Sequence, residues 1–354
     1  MKQWVLLHVG NRHVAHIRIF IISCLVAALS LSASIPSHAD SNLRIAMLYD
    51  IGGRGDNGIN DAAAAGLDAA KKQFHLSDLQ VREMAPINTE GDREARLLFL
   101  AKAGYDLIIA VGPGFSEAVA VAAEKYPTIQ FAILGDSSVA MVNVMNIDFA
   151  PGQSAFMAGV LAGASSTTGK VGSILPADQY LADNQRAFAD GVHFANPKAK
   201  VFGQSVTVGN KGVTNISVAS LGSVGVDVIY STWNKTSEVL TQVLAADQDL
   251  AKKKSKYLIK LIGNTPQQYF LTFPAAKKVV IGAVKDRFDL AVIDLVAKTL
   301  KGQTFNDILD EKAGIYGHIY TFSGGGVALA TSNPVPAVNS KLRAAASVVS
   351  TGKY

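Results

Sequence analysis

From Leu43 almost to the end of the chain, short apolar runs alternate with longer stretches whose apolar residues recur at helical spacing. The runs at 43–48, 107–111, 130–134 and 141–147 read as buried strands, with helices expected over 61–74, 93–103 and 117–125. A second series repeats the pattern, with strands expected over 170–175, 201–208, 226–230 and 258–262. Its helices fall over 153–164, 183–195, 213–221 and 237–246. A strand at 279–284, a helix over 286–300 and an extended stretch at 315–322 complete the chain. Short apolar strands separated by helices predict parallel sheets covered on both faces, an α/β fold.

The two series match in size and order, which predicts two lobes. One is expected to hold 40–149 plus about 283–314, the other 150–282 plus about 315–354. The chain then crosses between them near Ala150, Gly282 and Tyr316. With no Pro- or Ser-rich linker between the series, these crossings form a hinge rather than a tether. Strand ends of two such lobes face one cleft, the place where open α/β sheets hold ligands.

Two joins between strand and helix stand out. Tyr49 to Asp61 is crowded with Gly, Asp and Asn, as a turn requires where φ becomes positive. Its carboxylates and amides lie beside free helix N–H groups and suit a small polar molecule. The plainer reading is a capped turn with Asn60 or Asp61 as N-cap. Gly112-Pro113-Gly114 resembles a dinucleotide turn, but the third glycine is missing and Pro113 stiffens the loop. It reads as a loop whose backbone approaches a ligand, followed by Phe115 and by Ser116 as helix cap.

The first 39 residues read as a secretion signal. Lys2, Arg12 and Arg18 supply positive charge, 19–31 is apolar, and Ser37-His38-Ala39 has the form of a cleavage site before Asp40. The apolar run is short for a membrane span, so the periplasm is the expected location. Cys24, the sole cysteine, sits inside that run rather than at its end, which disfavours a lipid anchor and leaves no thiol chemistry after cleavage. The chain carries 33 basic and 28 acidic residues, a formal +5. Three of the basic ones lie in the signal, so the rest is nearly balanced and no nucleic-acid partner is expected.

Catalysis has little support. His75, His193 and His318 fall in separate elements, without a second His or a Cys at metal-ligand spacing. Neither a G-x-S-x-G elbow nor a Walker A sequence occurs. The expectation is a protein with no catalytic residues, metal or cofactor.

Read in order, several motifs form a set. They are Asp50…Asp56-Asn57-Gly58-Ile59-Asn60, then Tyr105 to Gly112, then Tyr126-Pro127…Phe131-Ala132-Ile133. Asn143-Val144…Phe149…Gln153 to Gly159, Gly169-Lys170-Val171-Gly172, and Val284-Lys285 with Asp289 follow. The set resembles the basic membrane protein (Bmp) family of ABC-transporter substrate-binding proteins, whose characterised members mostly bind purine nucleosides. The resemblance implies the type I periplasmic-binding-protein fold, with two lobes, each a mostly parallel sheet flanked by helices, and a ligand enclosed between them. It also implies an ABC permease in the inner membrane as partner, and a monomer.

Ligand roles come with the resemblance. Asp50 matches an aspartate that helps hold the base, and Asn57, Ile59 and Asn60 fall in the run that follows, with Ile59 replacing a phenylalanine that stacks on the base. Asp136 matches an acidic residue after the Phe-Ala-Ile strand, Ala155 and Phe156 a Ser-Phe pair, and Lys285 a lysine that approaches the sugar hydroxyls. Two segments depart from the pattern. Gly263-Asn264-Thr265-Pro266-Gln267-Gln268 offers amides where the family has carboxylates, a weaker grip on hydroxyls. Trp233 stands in place of a glycine-rich loop, and Trp233 or Phe115 is expected to stack where the phenylalanine is lost. The same lobes could instead present a ligand to a membrane sensor. A nucleoside hydrolase would need acids near the sugar, and Gln267 and Gln268 argue against it.

Overall fold

The computed structural model describes residues 43–354 except 57, 88–89, 178–179, 210–211, 215–216, 233–235, 264–273, 332–335 and 353. The expected signal and Cys24 lie outside the described residues. In chain order the first half comprises β1 (Ile45–Leu48), α1 (Ile59–Gln73), β2 (Val81–Met84), α2 (Glu90–Lys102), β3 (Leu107–Val111), α3 (Ser116–Lys125), β4 (Gln130–Leu134) and β5 (Val144–Phe149). There follow α4 (Pro151–Ser165), β6 (Lys170–Pro176), α5 (Leu181–Ala195), β7 (Lys200–Gly209), β8 (Gly212–Thr214), α6 (Val218–Ser223), β9 (Val228–Ser231) and α7 (Thr236–Lys252). The last part holds β10 (Lys260–Gly263), α8 (Pro274–Val279), β11 (Val280–Asp286), α9 (Phe288–Leu300), β12 (Asp307–Asp310), β13 (Ile315–Tyr320), β14 (Val327–Thr331) and α10 (Pro336–Val349).

The strands form two sheets, ordered β12-β13-β5-β4-β3-β1-β2 and β14-β11-β10-β9-β6-β7-β8. Pairing is parallel inside each sheet, and the antiparallel strands β12, β14 and β8 sit at edges. Every residue of β1 and β3 is buried, because helices cover both faces of a parallel sheet and leave no side for polar residues. That is why these strands read as unbroken apolar runs. The chain changes sheet after Phe149, after Asp286 and after Tyr320. The second and third changes lie a few residues beyond Gly282 and Tyr316, since β11 runs on to Asp286 and β13 stays in the first sheet to Tyr320.

Edge elements account for most other differences. β2, β8 and β12 carry no clear apolar run because an edge strand is only half covered, whereas the edge strand β14 is apolar from Val327 to Ala330. The helix expected from Val213 begins at Val218, since Val213 and Thr214 pair with Val208 and Thr207 in a hairpin. One apolar core runs through both sheets, from Met47 and Phe149 through Phe156 to Val171 and Tyr230. Separate cores lie on the opposite faces of each sheet.

Candidate ligand-binding site

The β1–α1 turn is held by its own polar residues. Asn60 Oδ1 accepts from the Asp50 backbone N–H at 2.9 Å, and Asn60 Nδ2 donates back to the Asp50 carbonyl at 3.2 Å. Asp56 accepts from the N–H groups of Gly58, Asn60 and Asp61, and so caps α1. Neither Asn60 nor Asp61 is the cap: Asn60 is spent on the turn, and Asp61 accepts from Gly55 N–H at 2.6 Å. Asp50 Oδ1 pairs with Arg93 at 2.7 Å. The backbone of Gly112, at φ +99°, passes close to Asp50 and Ile59, and a Cβ there would lie 3.4 Å from each side chain.

Ser116 is the first residue of α3 rather than its cap. Its hydroxyl, with one proton to give, lies 2.7 Å from the Pro113 carbonyl and 2.9 Å from Asp136 Oδ2 and is shared between them. Ser138 supplies its N–H and hydroxyl to the other oxygen of Asp136. Asp136 therefore fastens the loops after β3 and β4.

A cavity of about 390 Å³ opens where the carboxyl ends of both sheets meet. Ile59, Gly112, Pro113, Gly135, Asp148 and Phe149 wall it from the first sheet. Pro176, Tyr180, Asn184, Tyr230 and Asp286 wall it from the second, with Ser154 and Phe288 at the hinge. Its size falls within the usual range for small-molecule sites, about 300–1,000 Å³. Of the candidate ligand contacts among the described residues, Ile59 lines this space, together with Gly112 and Pro113 of the loop whose backbone was expected to approach a ligand. Asp50 lies just behind Gly112. Phe115 is fully buried in the core under Arg93, and Phe156 is buried against Tyr354, with ring centroids 4.4 Å apart. Ala155 is buried beside Phe156, and Gly263 ends β10, paired with Ala283. Val284 and Asp286 line the cavity, so the alternation of β11 turns Lys285 to the other face, 3.6 Å from Asp289. Asn57, Trp233, Asn264 and Gln267 lie outside the described residues.

The polar groups that do line the cavity form two sets. Asp148 Oδ2 accepts from the Tyr180 hydroxyl at 2.8 Å, a bond that joins the two sheets, and from Ser137 at 3.1 Å. Its other oxygen accepts from Phe149 N–H at 2.8 Å. Burial raises the Asp148 carboxyl above the ordinary range, and these hydrogen bonds oppose the rise. Asp286 accepts from Ser154 at 3.0 Å. Burial pushes it up to about 6, and the Asp148 charge adds to the rise. Tyr230, enclosed and near Asp286, is raised as well. Sequence reading missed these residues, although Asp148 and Asp286 each adjoin a position it had named. Strand alternation carried through to the last residue of each strand was the signal available.

Residues 43–315 match the family model described as "Bmp: ABC transporter substrate-binding protein PnrA-like". The chain belongs to the Bmp family. It is 28% identical over 272 residues to the CD4+ T-cell-stimulating antigen of Listeria innocua, covering 75% of each chain. It is 26% identical to the ABC transporter nucleoside-binding protein BmpA of Lactococcus lactis, over 60% of this chain and 64% of the relative. Its fold is like that of a transcriptional activator of the comK gene from Bacillus halodurans (TM-score 0.65, 20% identity, covering 88% of this chain and 99% of that one). A solute-binding protein of an ABC transporter system from Aeropyrum pernix is similar at TM-score 0.62 and 20% identity, covering 88% and 86%. The Bmp chain thus has the type I periplasmic-binding-protein fold and is an extracytoplasmic substrate-binding protein of an ABC transporter.

Proposed function

We propose that this Bmp protein encloses a purine nucleoside or a related hydroxylated heterocycle between its two sheets and hands it, chemically unchanged, to an inner-membrane permease. The observation that carries this is the cavity at the meeting of both sets of strand ends, walled by aromatic rings and by acceptors suited to hydroxyl and amine donors. The nucleoside-binding relative supports the ligand class. Asp50, Asn60 and Ser116 fix the turns that form the cavity wall, and Ile59 meets the ligand directly. Trp233 and Gln267, outside the described residues, remain part of the proposal as ligand contacts. The protein acts as a monomer in the periplasm after cleavage near Ala39, with no lipid on Cys24.

Calorimetric titration of the purified protein with a nucleoside panel tests the ligand class. The expected result is saturable one-to-one binding to at least one nucleoside with no turnover of the bound molecule. Absence of heat and of any thermal shift across the panel would remove the nucleoside reading.

A further inference from the structure

Asp148 reaches the cavity from the first sheet and Asp286 from the second. Asp148 has three donors, whereas Asp286 has only Ser154, and its second oxygen accepts nothing from the described residues. Asn184 Oδ1, also in the wall, is buried and has no hydrogen-bond partner among the described residues. No Lys, Arg or His lines the cavity among the described residues. The cations beside Asp286 in sequence are engaged elsewhere, Lys285 with Asp289 at 3.6 Å and Arg287 with Asp289 at 2.8 Å.

Closing the sheets over a guest strips water from this space. A neutral guest would leave two facing carboxylates without a counter-charge in a dry enclosure, which strongly disfavours their ionised forms. A cationic guest removes that conflict and satisfies the free acceptors with its own donors. Phe149, Tyr180, Tyr230 and Phe288 add ring surfaces, and a flat cation is attracted to such surfaces.

Resting on the receptor reading of this cavity, we propose that its ligand carries a positive charge on a flat nitrogen heterocycle, clamped between Asp148 and Asp286 from opposite sheets. The clamp makes the charge itself a link between the two lobes, so that the closed form is favoured by this ligand class over its neutral isosteres.

Calorimetric titration with adenosine, with 1-methyladenosine (positively charged near neutral pH) and with nicotinamide riboside (charged at every pH) tests the inference. The charged compounds are expected to bind at least tenfold tighter than adenosine. Asp148→Asn and Asp286→Asn are each expected to lower that preference at least tenfold, with melting curves confirming that the variants fold. Should Asp148→Asn fail to fold, Asp286→Asn decides alone, since Asn can still accept the Ser154 bond. Adenosine binding as tightly as the charged compounds, or a charge preference that survives Asp286→Asn, overturns the inference and leaves the receptor reading standing. Failure of all three to bind overturns the inference and counts against the nucleoside reading too.

Discussion

At the C-terminal end of β11, burial in the cavity wall raises the Asp286 carboxyl to about 6, well above the value of about 4 expected in an unfolded chain. Asp148 and Tyr230 face it and Ser154 donates to it, so no cation among these neighbours offsets the burial. The folded state therefore binds more protons than the unfolded state between about pH 4 and 6. Stability from this group is full below about 4, falls as pH rises through 6, and then levels off. Asp148 acts in the same direction. Asp286→Asn is accordingly expected to melt higher than the parent at pH 7.5 in the ligand-free protein, by about 1–3 kcal/mol. The difference should shrink strongly at pH 4.5, and calorimetric melts at the two pH values check it. The neighbouring Lys285 shows why such a residue is hard to find in a sequence. A one-residue step along a strand exchanges the cavity for the opposite face, and a family motif locates the segment more surely than the side of it. Asp56 teaches the same at a helix start, since the cap is the carboxylate that reaches back over the turn, not the one nearest the apolar pattern.

Helices α4 and α5 pack with their backbones in close approach. A Cβ added at Gly191 would lie 2.1 Å from the Phe156 carbonyl oxygen, and one at Gly159 2.2 Å from that of Phe188. Alanine improves helix propensity by up to about 1 kcal/mol, but forcing these backbones apart costs about 1–3 kcal/mol or more. Gly191→Ala is thus expected to destabilise the protein by at least about 1 kcal/mol net in denaturant unfolding. Tyr180, just before α5, ties the two sheets together. Its hydroxyl bonds Asp148 and Ser137 on the other sheet. Removing it in Tyr180→Phe deletes a hydrogen bond to a carboxylate, worth about 1.5 kcal/mol or more. Ligand affinity is expected to fall about tenfold, read by calorimetry, with the melting temperature of the ligand-free protein little changed. The central strands and long helices were legible because burial on both faces enforces an apolar run or a helical stripe. Edge strands β2, β8 and β12 were not, because their outer sides meet water and their residues follow no single period; β14, apolar from Val327 to Ala330, was missed without that reason.

On the scale of the whole molecule, the two-lobe plan was readable from one repeated series of strands and helices, and the family from motifs in order. The crossings were placed less well, since a strand that enters the hinge keeps its apolar pattern past the point where the chain changes sheet. The site was legible only as a region. Position matching named turns that build its wall, with Asp50, Asn60 and Asp136, while Asp148 and Asp286 face the cavity only because two sheets meet there, and strand alternation was their one local signal. Phe115 was expected to stack on a ligand, yet it fills a core, the commoner fate of an aromatic beside a helix start. A crystal structure of the protein with a bound nucleoside or cationic heterocycle would locate the ligand. One intact molecule is expected in the cavity between the two sheets, within hydrogen-bond reach of Asp148 or Asp286 and touching Ile59. A ligand bound outside that cavity, or found there cleaved, would contradict the proposed function.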